Sequence, residues 1–348
     1  MTRDGGTRVV GYYVHHVGSG HRHRAEVLAA RLRRDGVAVT GLSSLPRPDA
    51  WDGDWVRLPR DDDGDPRDVS GHGHLHWAPL LHDGTRSRAA ALSAWLETAR
   101  PDLLVVDVSV EVLLLARLHG VPAVGVVLPG RRDDRAHLLG FGVAEALVGF
   151  WPSTAGDMTP GLPDELRERL VPVGALSRHP VRPALRSQPH VGERTVALML
   201  GSGGHDITAA DVRAAQGATP HWEWHVLGAD PGTWVDDPSA VLAGVDVVVT
   251  HAGQNALAET AAARRPAVVL PQRRPHDEQR ATGDVLADGW PAVVHRAWPD
   301  AAEWPTVLDR AASLDPRRWT EWCDGWAADR FAEVVLATGE RVRNGEPR

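Results

Sequence analysis

The chain has 348 residues, of which 24% are charged and 43% hydrophobic, and it carries a formal net charge of −8. These values suit a globular protein of two domains, since single domains cluster at ~100–200 residues, and an acidic balance without a long basic run excludes the electrostatic footprint of a nucleic-acid binder. Cys323 is the sole cysteine and no lysine is present, which excludes an internal disulfide, Schiff-base lysine chemistry and a P-loop lysine.

A strand is predicted over 8–14, followed by a tight loop at Gly18-Ser19-Gly20 and a helix over 22–34 whose Ala25, Leu28, Ala29 and Leu32 share one face. The apolar part of that strand is too short for a signal-peptide core and ends at His15-His16 without a cleavage pattern. No other run approaches the ~20 apolar residues of a bilayer span, so a soluble, cytoplasmic protein is expected. Polar stretches rich in proline and glycine at 43–76 and 129–137 are expected to be long loops, the kind that carries function. Continuous apolar runs at 103–108, 123–128 and 146–150 predict buried parallel strands. Pro172, Pro180, Pro183 and Pro189 mark a linker, placed at 175–192.

Beyond the linker the pattern restarts, with a strand over 194–200, the loop Gly201-Ser202-Gly203-Gly204, a helix, and strands over 224–227 and 245–249. The expected organisation is therefore two Rossmann-like α/β units, 1–174 and 193–316, with a last helix over 317–340. On that helix Trp319, Trp322 and Trp326 recur at i, i+3 and i+7 with Phe331 and Val334 beyond, a spacing that predicts a core stripe.

The stretch 245–279 concentrates binding devices. An apolar strand runs into His251, Ala252, Gly253, Gln254 and Asn255; a helix carrying Glu259 follows; a second buried strand ends at Pro271; and a polar loop with His276, Asp277, Glu278 and Gln279 closes the segment. Small residues at a helix start present free backbone N–H groups and a partial positive charge to a diphosphate. Glu259, about two turns further on, could take both hydroxyls of a ribose. Loops beyond the carboxyl ends of parallel strands are where ligands sit in open α/β sheets. The order is that of a nucleotide-sugar site.

These residues resemble the GT-B glycosyltransferases, in the branch near the enzyme that adds N-acetylglucosamine to the lipid intermediate of peptidoglycan synthesis. Gly18-Ser19-Gly20-His21 is similar to the family's N-terminal glycine loop and Gly201-Ser202-Gly203-Gly204 to its C-domain loop. His251-Ala252-Gly253, Glu259, Pro271 and Glu278-Gln279 follow the donor-binding pattern, from which Gln254-Asn255 depart. The resemblance implies an acceptor domain first and a donor domain second, a terminal helix returning to the first domain, and inverting transfer from a nucleotide-diphosphate sugar acting as co-substrate. No cofactor is implied, and no metal, because a helix terminus does the work of the cation.

An inverting transfer needs a base for the acceptor hydroxyl and fixed donors for the charge growing on the diphosphate. His21 is the candidate base, since an imidazole titrates near neutrality, and Asp107, at the carboxyl end of its strand, is the candidate orienting group. Helix capping competes for both. Gly18, Ser19, Gly20, Trp77, Arg131 and His137 are candidate acceptor-side residues. His72, His74, His76 and His82 raise a zinc reading, set aside because no carboxylate or thiol falls at a matching spacing. Uridine diphosphate is the favoured carrier, with thymidine and guanosine forms as alternatives. A nucleotide-sugar 2-epimerase or hydrolase using Asp277 and Glu278, and a non-catalytic sugar-nucleotide sensor, are the competing functions. The acceptor, whether small molecule, glycan or lipid-linked, the oligomeric state and peripheral membrane contact are left open.

Overall fold

The computed structural model describes residues 8–16, 19–183, 193–200, 206–228, 235 and 237–346. Two parallel sheets organise the chain. The first contains β1 (Val9–Val14), β2 (Ala38–Ser43), β3 (Trp55–Arg57), β4 (Leu103–Asp107), β5 (Ala123–Val127), β6 (Ala146–Gly149) and β7 (Leu170–Pro172), in the order β3-β2-β1-β4-β5-β6-β7. The second contains β8 (Arg194–Met199), β9 (Trp222–Leu227), β10 (Val247–Thr250), β11 (Ala267–Val269) and β12 (Ala292–Val294), in the order β12-β11-β10-β8-β9. Every pairing between these strands is parallel, which requires crossover connections, most of them here carrying a helix.

Strand composition follows from that layering. β4 is Leu-Leu-Val-Val-Asp and is buried at every position, as a strand covered on both faces must be. Each sheet reverses its strand order at one place: between β1 and β4 in the first, and between β8 and β10 in the second. Ligands of open α/β sheets bind outside the carboxyl ends of the strands at such switch points. The segments leaving β1, β4 and β10 are therefore the ones to inspect.

The first of the crossover helices, α1 (Ser19–Arg34), begins a turn earlier than its sequence pattern indicates and buries Ala25, Leu28, Ala29 and Leu32 completely. α2 (Asp83–Ala99), α3 (Val110–Leu118) and α4 (Arg135–Val143) complete the layers of the first unit, with the short α5 (Asp164–Arg167) before β7. The second unit has α6 (Ala209–Ala218), α7 (Ser239–Gly244), α8 (Gln254–Ala262), α9 (Glu278–Leu286), α10 (Trp304–Ala312) and α11 (Trp319–Trp322). The expected long loop 43–76 contains β3, and the loop from 129 ends where α4 starts at Arg135.

The tryptophan stripe needs correction. Trp319 and Trp322 are buried against Trp290 of the second unit, Trp322 with ring centroids 4.8 Å apart, but Trp326 is 63% exposed. α11 stops at Trp322 because Gly325 takes a positive φ of 93° and the Asp324 carboxylate accepts the Trp326 N–H, which turns the chain out of helix. A new helix, α12 (Ala327–Arg343), then crosses to the first unit. Its Phe331 stands edge-on to Phe150 at 5.2 Å, and its Asp329 accepts from Arg31 of α1 at 2.6 Å. Of the expected linker, 184–192 lie outside the described residues; before them, the Arg182 N–H donates to the Ala262 carbonyl at 2.9 Å, tying the crossing segment to the second unit.

Candidate functional site

The carboxyl end of β4 delivers Asp107 into a fully buried position beside the start of α1. Its Oδ1 accepts from His21 Nδ1 at 2.9 Å and from Arg24 Nη2 at 2.9 Å, and its Oδ2 from Arg24 Nε at 3.1 Å and the Tyr12 hydroxyl at 3.4 Å. Burial by itself would raise the carboxyl pKa, but the adjoining Arg24 and His21 hold it well below the usual carboxylate range. An ionised carboxylate only accepts, so the His21 proton sits on Nδ1 and points at Asp107, although Arg24 Nη2 also lies 2.9 Å from that nitrogen.

The chain makes a sharp turn directly after Asp107. Val108 has φ of 66°, a left-handed conformation that costs a β-branched residue ~1–3 kcal/mol. The turn lets Ser109, not Asp107, cap α3 through the Val112 N–H at 3.3 Å. Asp107 is thereby left to serve α1.

Across the cleft, the start of α8 faces the start of α1. A Cβ on Gly20 would stand 3.0 Å from Asn255 Nδ2, and Arg24 Nη1 donates to Gln254 Oε1 at 3.1 Å. Gly253 is the N-cap of α8 and supplies no side-chain cap for the first-turn amides, where a helix start carries partial positive charge. Gln254 Nε2 is buried without a partner among the described residues. Gln279, itself buried, holds the loop in shape: its Oε1 accepts the Ala252 N–H at 3.2 Å and the Gln272 N–H at 2.9 Å. His251 Nδ1 accepts the Gly253 N–H at 2.9 Å. His251, Ala252, Gly253, Gln254, Asn255 and Gln279 are thus brought together in one loop and helix start.

Glu259 is buried on the same helix, and its Oε1 lies 2.6 Å from Arg178 Nε. Burial raises its pKa, and Arg178 opposes that rise. It lines a cavity of about 310 Å³ with His179, Pro180, Arg182, Ser239 and Leu242. Gly18 and the loop Gly201, Ser202, Gly203 and Gly204 lie outside the described residues, as does the side chain of Ser19.

A larger cavity of about 630 Å³ opens on the first unit's side of the cleft. His21, Trp77, His137, His276 and Glu278 line it beside an apolar wall that includes Tyr13, Leu92, Val112 and Leu115. Trp77 is fixed by its Nε1–H, which donates to the Asp61 carbonyl at 2.7 Å. Burial holds His15 down at about 4 and His137 at about 3, so both rings are neutral at physiological pH. Arg131 does not line this cavity; it pairs with Asp133 at 2.6 Å on an outer recess. His276 turns toward His137 and Asp134 of the first unit.

The expected histidine loop comes apart in the fold. His72 and His74 are exposed, and His82 caps α2 by accepting the Thr85 N–H at 3.1 Å. Sequence reasoning missed Arg24 and Arg178, and it saw Asp134 only as part of the mixed-charge loop around Arg131 and His137. Arg24 left a signal, an arginine one turn after His21 on the face toward β4, while Arg178 left none because its partner Glu259 is remote in the chain; Asp134 caps α4 at the nearby His137 and meets His76 and His276 only through the fold.

No family model matches the chain. A UDP-N-acetylglucosamine–N-acetylmuramyl-(pentapeptide) pyrophosphoryl-undecaprenol N-acetylglucosamine transferase of Nitratidesulfovibrio vulgaris is 33% identical over 137 residues, 38% of this chain and 35% of that protein, in both strain DP4 and strain Hildenborough. The matched stretch thus spans about a third of those relatives. Among solved structures, the glycotransferase of kitacinnamycin superposes with TM-score 0.67 at 16% identity, covering 96% of this chain and 99% of its own. MurG of Acinetobacter baumannii gives 0.64 at 15%, covering 95% and 100%, and a calicheamicin glycosyltransferase 0.65 at 19%, covering 97% and 99%. Likeness over nearly the whole of each chain, with two doubly wound parallel sheets, establishes that this protein has the fold of the GT-B glycosyltransferases.

Proposed function

We propose that the protein is an inverting glycosyltransferase that moves a sugar from a nucleoside diphosphate to a hydroxyl of an acceptor held in the 630 Å³ cavity. The observation that carries this reading is the meeting of the α1 and α8 starts across one cleft, with the His21–Asp107 pair between them and the large cavity. Two helix N-termini concentrate partial positive charge where a diphosphate gains negative charge as it leaves. Glu259 and its cavity take the ribose and base. The partly matched N. vulgaris transferase uses a UDP-sugar, which favours UDP here.

In the reaction, the acceptor oxygen bonds to the anomeric carbon while the bond from that carbon to the diphosphate oxygen breaks, and the electron pair leaves with the nucleoside diphosphate. Attack opposite the leaving group inverts the centre. His21 Nε2 takes the acceptor proton, and Asp107 steadies the imidazolium that results through Nδ1–H. The apolar wall fits an acceptor with an apolar body, and the charged side chains that also line the cavity, among them Arg88, Glu111 and Arg132, fit a polar end. No metal acts at the diphosphate. The lone cysteine, buried at Cys323, accords with a reducing cytoplasm, and no helix among the described residues is long and apolar enough to cross a membrane.

Three measurements check this reading. His21→Ala should lower turnover about 10²–10⁴-fold and leave nucleotide-sugar affinity near wild type, since a base acts in the transition state; near-normal turnover removes the role. Glu259→Ala should weaken nucleotide-sugar binding by ~1–3 kcal/mol in calorimetry, with the fold intact because Arg178 is partly exposed and can be hydrated. Unchanged affinity in a folded variant takes Glu259 out of the site. Adding magnesium or manganese should leave UDP affinity unchanged, whereas a clear tightening would show that the helix ends need a cation's help.

A further inference from the structure

Away from the His21–Asp107 pair, a second polar cluster is assembled from three remote parts of the chain. His76 comes from the segment before α2, Asp134 and His137 from the cap and first turn of α4, and His276 from a 3-10 turn, Pro275–Asp277, of the second unit. His76 Nε2 lies 3.1 Å from Asp134 Oδ1, His137 Nδ1 2.5 Å from Oδ2, and His276 Nδ1 3.6 Å from Oδ2. The three rings approach pairwise with centroids 4.3, 4.8 and 5.6 Å apart. One nitrogen or oxygen from each of the four residues lies within 4.8 Å of all the others.

The backbone is shaped to bring these groups together. His276 and Asp277 take positive φ values of 59° and 53°, left-handed conformations that residues other than glycine adopt under constraint. The Arg131 N–H donates to the His276 carbonyl at 2.8 Å, and at Gly130 a Cβ would stand 2.3 Å from that same oxygen. Only a glycine lets the two units approach this closely. On the other side, Glu111 Oε1 accepts the His76 N–H at 2.7 Å and so fixes the segment that carries the first imidazole.

Three imidazoles and one carboxylate form a donor set for a tetrahedral ion of the zinc class, and hard cations such as magnesium or calcium prefer oxygen ligands. Zinc bonds of ~2.0–2.1 Å place donors about 3.3 Å apart, so the close His76 and His137 contacts to Asp134 must open slightly and the wider separations in the cluster close, a modest adjustment of side chains that are themselves about one third exposed, apart from His137. Arg132 Nη1, 3.4 Å from His137 Nε2, works against any cation, which again favours a strongly coordinated one over a weakly held one.

We propose that His76, His137, His276 and Asp134 bind one divalent ion of the zinc class, which clasps the 272–277 loop of the second unit onto the first at the rim of the acceptor cavity. The ion acts on the contact between the units and stands apart from the diphosphate chemistry. Its test needs no nucleotide and no turnover, so it is independent of the function proposed above.

The intact protein, stripped with a chelator and freed of it, would be titrated with zinc chloride in competition with a chromophoric chelator, and separately with cobalt chloride while visible absorption is followed. The expected result is one equivalent of zinc at micromolar affinity or tighter, a cobalt spectrum of four-coordinate type, and a raised melting temperature on zinc binding. His276→Ala, a partly exposed position where the fold should survive, should weaken zinc binding at least tenfold, and the doubly substituted His72→Ala/His74→Ala protein should bind like wild type. His137→Ala provides a second reading if circular dichroism shows it folded. Absence of stoichiometric zinc binding overturns the proposal, as does binding lost with His72 and His74 but kept in His276→Ala. Binding kept in His276→Ala but lost in His137→Ala would overturn the clasp between the units.

Discussion

The buried charge of Asp107 is the constraint around which the cleft is arranged. A carboxylate removed from water costs several kcal/mol unless it is closely paired and hydrogen-bonded. Here Tyr12 of β1 and both His21 and Arg24 of α1 supply the donors, so the position of α1 relative to β4 is not free to vary. The strained Val108 belongs to the same arrangement, because the turn it permits leaves Asp107 facing α1 while Ser109 starts α3. Arg24 then extends the network to Gln254, which sets the start of α8 opposite the start of α1. One buried carboxylate thus connects His21, the first helix and the contact between the two units.

The helices that follow the switch points of the two doubly wound sheets meet at their starts, so both units border one cleft. Each unit supplies what its own topology creates: β1 and β4 give the His21–Asp107 pair and the large cavity, β10 and α8 give the amide cluster and Glu259. α12 closes the structure by burying Phe331 against Phe150 of the first unit, although the chain has just packed Trp319 and Trp322 against Trp290 of the second. The short break at 323–326 is where the chain passes between the units.

Much of this was legible in the residues. The buried strands declare themselves by apolar runs such as Leu-Leu-Val-Val before Asp107, and His251, Gly253 and Gln279 mark the second unit's loop cluster because each residue type suits a local backbone task. What periodicity could not show was where a helix is interrupted: Trp326 fits the i+7 spacing, but Gly325 and Asp324 end the helix before it. Pairings between distant residues were also hidden. Gln254, a departure from the expected pattern, is the acceptor for Arg24, and Glu259 meets Arg178. His76 finds its carboxylate at Asp134 and its neighbouring rings at His137 and His276, whereas local spacing grouped it with His72 and His74.

Whether the two facing helix starts form a diphosphate site can be read from calorimetric titration with uridine, uridine monophosphate and uridine diphosphate. The diphosphate should bind about 10–100-fold more tightly than the monophosphate, the gain expected from charge-assisted bonds to the α8 amides, and uridine should bind weakest. Equal affinity for all three, or no binding of uridine, thymidine or guanosine diphosphates, would contradict a diphosphate site there.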